Sequence, residues 1–243
     1  MITIDIVSDT VCPWCFIGKR RLERALAEKG AEPKVFIGWR PFQLNPDMPS
    51  EGMDRKDYLA AKFGGEQGAQ RVYDNIRQAG ASEGIEFNFS SVGRTPNTIN
   101  SHRLIDRAGK DGKQDAVVEG LFQAYFLDGR DIGDTDVLVD VAVAGGLEGD
   151  AIRAYLESDE DAERIRGEDA MARRMGVQGV PCFILNRKYA ISGAQDPKVF
   201  LQAIAQIEAE MANEPASADP ARPQRLASDQ SPAAIAAICF IKP

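Results

Sequence analysis

The stretch Val11-Cys12-Pro13-Trp14-Cys15-Phe16 constrains this chain more than any other. It follows the run Ile2-Thr3-Ile4-Asp5-Ile6-Val7-Ser8 and opens a helix-like run from Phe16 to about Lys29. Ile2, Ile4 and Ile6 alternate with Thr3 and Asp5, the period of a strand with one apolar face. Two cysteines at this spacing, at a strand-to-helix junction, can close a disulfide across the first helical turn. The leading one meets unpaired N–H groups and the positive end of the helix dipole, and both stabilise a thiolate. Pro13 suits the first helical position, because its φ is already helical and its missing N–H would have no partner there. The pattern predicts dithiol–disulfide chemistry. Cys12, exposed at the helix start, is the nucleophile, and Cys15, one turn further in and facing inward, is the resolving thiol. Half a zinc site is the competing reading. Cys182, Cys239 and His102 form no second close pair to complete four ligands, so no metal is expected.

Gly30 ends the helix, and Pro33 to Trp39 reads as a second strand. The result is a β-α-β unit with parallel strands and a right-handed crossover. Pro41, Pro46 and Pro49 then break regular structure. From Met53 to Met175 helix-like stretches follow one another, at about 54–63, 66–83, 97–109, 113–128, 134–144, 149–157 and 159–175, and strand signals are nearly absent. Gly84 to Gly93, with Ile85, Phe87 and Phe89, reads as an extended connector. After Gly176 the α/β character returns. Val180 to Leu185 and Tyr189 to Ser192 flank the turn Asn186-Arg187-Lys188 as a hairpin. Asp196 then caps, and Pro197 opens, an amphipathic helix through Val199, Phe200, Ala203, Ile204 and Ile207.

A net charge of −8 argues against nucleic acid as a partner, since phosphate binding needs a clustered basic face. Arg20, Arg21 and Arg24 do cluster, but among glutamates, and read as a solvated helix face. No apolar run approaches the ~20 residues of a membrane span. Met1 leads straight into a strand, with no basic start and no small-residue cleavage site, so a cytoplasmic location is expected. Structural disulfides are uncommon there, which again favours a catalytic pair.

The order β-α-β, helical insertion, β-β-α resembles an α/β thioredoxin-like fold with a large inserted all-helical domain, as in the DsbA-like thiol–disulfide oxidoreductases. On that reading residues 1–52 and 176–212 form the thioredoxin-like domain, 53–175 the helical insertion and 213–243 a C-terminal tail. Several stretches resemble the FrnE-like branch: Asp9-Thr-Val-Cys-Pro-Trp-Cys15, Trp39-Arg-Pro-Phe-Gln-Leu-Asn-Pro-Asp47, Asn97 through His102-Arg-Leu104, Leu121-Phe-Gln-Ala-Tyr-Phe126, Asp131-Ile-Gly-Asp134 and Gly176-Val-Gln-Gly-Val-Pro181. The likeness covers roughly residues 1–210. Two related families, the 2-hydroxychromene-2-carboxylate isomerases and the kappa-class glutathione transferases, look similar outside the active-site turn but use a serine where this chain has Cys12.

The resemblance implies an oxidoreductase acting on a thiol or disulfide, protein or small molecule, with no cofactor beyond glutathione as a co-substrate. A glutathione-dependent isomerase or transferase is the alternative. Pro181 would be a cis-proline facing the cysteines, turning the Val180 backbone outward to pair with an extended substrate. An ordinary trans proline opening an edge strand is the other reading. DsbA-like exported oxidants carry a histidine where this chain has Trp14. Trp14 supplies no cation, which implies a less stabilised thiolate and a more reducing couple.

Asp9 and Thr10 lie just before the helix and read as candidates to cap it, and Asp9 reads also as the acceptor of the Cys15 proton. Asp5 reads as solvated. Cys182 reads as a small buried strand residue, with a third exchanging thiol as the sharper alternative. His102, the only histidine, directly follows Ser101, so the two cannot pair as nucleophile and base on one helix face. It is read either as a residue of a cleft facing the motif, with Asn97, Thr98 and Asn100 lining the same cleft, or as structural. Asn213 to Pro232 has linker composition. The apolar end, Ile235 to Ile241 with Cys239, is expected to dock on its own domain or on a neighbouring chain, which allows a homodimer.

Overall fold

The computed structural model describes residues 1–213. The expectations for the apolar end, Cys239 and a dimer contact lie outside the described residues. Strand β1, Ile2–Ser8, leads into helix α1, Pro13–Lys29, and then β2, Val35–Pro41. Far along the chain come β5, Cys182–Leu185, β6, Tyr189–Ser192, and α9, Pro197–Asn213. These strands form one sheet in the order β2-β1-β5-β6. β1 and β2 run parallel with Ile4 opposite Ile37, and β5 runs antiparallel to β1 with Phe183 opposite Ile6.

Strand periodicity sorts the side chains onto two faces. Ile2, Ile4, Ile6, Phe183 and Leu185 join Phe16, Ile17 and Leu22 of α1 and Phe200 and Ile204 of α9 in the main core. The Phe183 and Phe200 rings meet edge to face at 4.7 Å. Val7 and Cys182 pack on the opposite face with Phe42 and Ala172. Gly18 lets α1 approach closely: a Cβ there would sit 3.0 Å from Phe183 and from Pro181. Asn186 and Arg187 both take left-handed φ, 48° and 55°, as a tight hairpin turn requires. Asp196 Oδ1 accepts from Lys198 N at 3.0 Å and caps α9, as its position before Pro197 predicts.

Between β2 and β5 lie α2, Arg55–Phe63; α3, Glu66–Ala81; α4, Ile99–Gly109; α5, Gln114–Phe126; α6, Thr135–Ala144; α7, Gly149–Glu157; and α8, Ala162–Arg174. Two short strands are also present, β3, Met53–Asp54, and β4, Arg94–Thr95, paired antiparallel. Two residues are too few to leave a period in the sequence. The 84–93 connector is not a loose extended strap. Phe87 and Phe89 are buried and stack at 5.0 Å, Tyr73 stacks on Phe89 at 4.3 Å, and Phe87 meets Phe126 at 5.4 Å. Phe16 of α1 stacks on Phe122 at 5.1 Å, so the apolar core runs unbroken from the sheet into these helices.

The basic face of α1 corrects the reading of a solvated surface. Lys19 is buried, with Nζ 3.2 Å from Asp115 and 3.1 Å from Glu119 of α5. Burial works against its charge, but Glu23, Asp115 and Glu119 outweigh it and hold its pKa above the usual range. Arg20 donates to Glu119 at 3.0 Å, while Arg21 and Arg24 both reach Glu83, at 2.9 and 3.0 Å. The cations tie α1 to the helical region, because the apolar side of the helix is already committed to the sheet and the phenylalanines.

Candidate active site

β1 stops at Ser8, and the chain turns through Asp9, whose carbonyl accepts from Cys12 N at 3.0 Å. Cys12 is the residue before the helix, with φ −96° and ψ 110°, and Pro13 takes the first helical position. Cys15 N then donates to Cys12 O at 3.0 Å. Both thiols are free. Contrary to expectation, Cys12 is buried, with 4% of its surface exposed, and Trp14, at 36%, is the open member of the motif. The cover comes from the loop before β5. Cys12 Sγ lies 3.6 Å from the Val180 carbonyl, and the Val180–Pro181 peptide is cis.

Cys15 is 1% exposed. Burial pushes its thiol well above the usual range, the adjacent Cys12 adds to this, and the charge of Asp9 contributes a smaller push. Cys15 is therefore a protonated thiol at neutral pH and needs a base before it can attack.

The structure overturns the reading of Asp9 as a cap. α1 has no side-chain cap. Pro13 offers no N–H, and the fully buried Asp9 carboxylate turns the other way, with Oδ2 accepting from Leu44 N at 2.7 Å. Its Oδ1 has no hydrogen-bond partner and lies 3.5 Å from His102 Nε2. His102, 3% exposed, does not line an open cleft; its Nε2 is 3.2 Å from the Phe42 carbonyl. Asn97 lines a pocket with Ser50, Glu51, Pro96 and Asp131, which holds no residue of the cysteine turn. Asn97 donates to Met48 O at 2.6 Å and accepts from Ile99 N at 3.0 Å, and Asn100 accepts from Arg103. Thr98 O accepts from His102 N at 3.0 Å. Asp5 pairs with Arg40 at 2.8 Å rather than standing free in solvent.

Several contacts here were missed by sequence reasoning. Thr10 and Ser101 share a hydroxyl hydrogen bond at 2.8 Å, joining the motif loop to α4. Gln43 N donates to Asp169 at 2.9 Å, and Arg173 donates to Gln43 O with its guanidinium 4.1 Å from the Phe42 ring centre. Gln43 lies within the Trp39–Asp47 stretch that carries the resemblance, which was the one available signal.

Cys182 sits among Val7, Phe42 and Ala172 on the face away from Phe183. Burial pushes its thiol up to about 11 from 9.0, which makes it inert at neutral pH. The folded state holds this proton more tightly than the unfolded chain does. Its contribution to stability is therefore complete below about pH 9 and is lost as pH rises through about 11. Urea unfolding across that range is expected to show a decline that Cys182→Ala makes shallower by about 2 kcal/mol; equal declines would refute the assignment. Among the described residues no group of three or more His, Cys, Asp and Glu could hold a metal, and no helix is long and apolar enough to cross a membrane.

Residues 3–205 match the family described as the DSBA-like thioredoxin domain. The chain belongs to that family. This DSBA-like chain is 33% identical to the probable DsbA oxidoreductase SCO1869 of Streptomyces coelicolor, whose crystal structure superposes with a TM-score of 0.78 over 86% of this chain and 91% of that one. It is 30% identical over 203 residues to the uncharacterized protein YwbO of Bacillus subtilis (strain 168), covering 83% of this chain and 94% of YwbO. The cytosolic disulfide reductase DsbM of Pseudomonas aeruginosa, solved with GSH, shares the fold at 18% identity, with a TM-score of 0.60 over 86% of this chain and 99% of DsbM. The DSBA-like fold, a four-stranded sheet interrupted by a long helical insertion, is the one the element order implied.

Proposed function

We propose that this DSBA-like chain is a thiol–disulfide oxidoreductase in which Cys12 attacks and Cys15 resolves. One observation carries the reading: two free thiols share the first turn of α1, the outer against the Val180 carbonyl and the inner buried and protonated. Cys12 thiolate attacks a substrate disulfide, forming a mixed disulfide and expelling one substrate thiolate. Cys15 loses its proton to Asp9 and attacks Cys12 Sγ. The Cys12–Cys15 bond forms, the bond to substrate breaks and the second substrate thiolate leaves with the electron pair, so the substrate is reduced and the enzyme oxidised. The reverse sequence oxidises a dithiol. The Val180 and Pro181 backbone and the exposed Trp14 ring offer the surface on which the substrate lies.

Glutathione is the proposed thiol that restores the pair, with no metal or other cofactor. The substrate is a protein or small-molecule disulfide, and the setting is the cytoplasm. Equilibration of the full-length protein with reduced and oxidised glutathione, followed by Trp14 fluorescence and mass spectrometry, tests the reading. A single two-electron transition with an internal Cys12–Cys15 disulfide is expected. Glutathione retained on Cys12 with no internal disulfide would replace this reading with that of a glutathione-dependent isomerase or transferase.

A further inference from the structure

We infer that His102 is a positioning residue for the resolving step, holding the Asp9 carboxylate where it takes the proton of Cys15; the inference rests on the dithiol reading above. A carbonyl oxygen only accepts, so the 3.2 Å contact to Phe42 O requires a proton on His102 Nε2. That N–H edge also lies 3.5 Å from Asp9 Oδ1. Asp9 Oδ2 is fixed by Leu44 N, whereas Oδ1 is fully buried with no hydrogen-bond partner. A buried carboxylate oxygen is costly to leave unpaired and needs a reason. An open acceptor position on the residue whose carbonyl holds Cys12 N, in the same turn as the protonated resolving thiol, supplies one.

The surroundings hold the imidazole in this place. His102 N donates to Thr98 O at 3.0 Å, and the Ser101–Thr10 bond pins α4 to the residue after Asp9. Phe42 N donates to Ser8 O at 3.0 Å, so the carbonyl that orients the ring is itself tied to the end of β1. The ionisable groups around the pair come from three elements. Asp9 comes from the β1–α1 turn and Cys12 and Cys15 from α1. Asp169 and Arg173 of α8 act one residue away, through Gln43. The proton leaves Cys15 Sγ for Asp9 Oδ1, and passes to the departing substrate thiolate once the internal disulfide has formed. His102 keeps its own proton throughout and fixes the carboxylate from the side.

The test follows the reduced full-length protein, carrying Cys239→Ser to silence that thiol, against one equivalent of the chromogenic aryl disulfide dithiobis(nitrobenzoate). Cys12 attack releases one coloured thiolate and Cys15 resolution the second, so the two steps are read separately. His102→Leu is expected to leave the first phase unchanged and slow the second about tenfold, the loss of one N–H beside a carboxylate. His102→Gln, which keeps an N–H at the end of the chain and folds with less disturbance, is expected to recover most of the rate. Asp9→Asn should slow the same phase about a hundredfold, with no further loss when combined with His102→Leu. Equal slowing of both phases or failure of His102→Gln to rescue would overturn the inference. A wild-type protein that releases only one equivalent would instead overturn the dithiol reading itself.

Discussion

Cys15→Ser is expected to cut turnover by at least about a thousandfold at millimolar external thiol, while Cys12 still reacts once. Resolution by Cys15 is intramolecular: its sulfur is one helical turn from Cys12, with Cys15 N bonded to Cys12 O. A well-placed intramolecular nucleophile acts at an effective concentration of roughly 10⁵ M or more, and a free thiol cannot replace that. The variant should therefore accumulate as a mixed disulfide, seen by mass spectrometry as one substrate adduct on Cys12. A Cys15→Ser protein that turns over normally would remove the internal dithiol from the mechanism and favour a single-thiol enzyme.

Arg103→Leu is expected to destabilise the fold by about 3 kcal/mol, within the range for losing a buried hydrogen-bond network centred on a charged donor. The fully buried guanidinium donates to the carbonyls of Tyr155, Leu156, Ser158 and Glu160 at 2.7 to 3.2 Å and to Asn100 at 2.8 Å. These carbonyls lie in and just beyond the last turn of α7, where a helix has no internal partners and its dipole favours a cation. Leucine would fill much of the space but strip these carbonyls of the guanidinium's donors, leaving Tyr155 O only Ser158 N and Oγ. Arg103→Lys should recover only part of the loss, since a point charge cannot serve so many acceptors at once. Urea midpoints of the two variants against wild type decide it; a cost under about 1 kcal/mol for leucine would show that water replaces the guanidinium.

Local signals in the chain were enough for the strand, the cysteine turn and α1, because each is set by neighbours within a few residues. The alternation of Ile2, Ile4 and Ile6, the proline at the first helical position and the Asp196-Pro197 start of α9 all appear in the structure where the pattern puts them. The site itself was less legible. Asp9 turned from the helix toward Leu44 and His102, and nothing within a turn of Asp9 announces partners 35 and 93 residues away. Cys12 lost its exposure to a loop from the far end of the chain. Arg20, Arg21 and Arg24 looked like a solvated face because their carboxylate partners, Glu83 and Glu119, lie on other elements. Phe87 and Phe89 alternate with polar residues as in an extended strand, which gives no hint that they stack on Tyr73 and Phe126 to supply much of the aromatic core.

The missing side chain at Gly18 has a practical consequence for anyone wishing to adjust this catalyst. A single methyl at that position would press on Pro181 and Phe183 together, and would have to move them by a few tenths of an ångström. The residue beside Pro181 provides the carbonyl that meets Cys12 Sγ. The gap between nucleophile and loop is thus dictated by how tightly one helix seats on a strand, several residues from either sulfur. Alanine at position 18 would bear on that gap while leaving both cysteines unsubstituted.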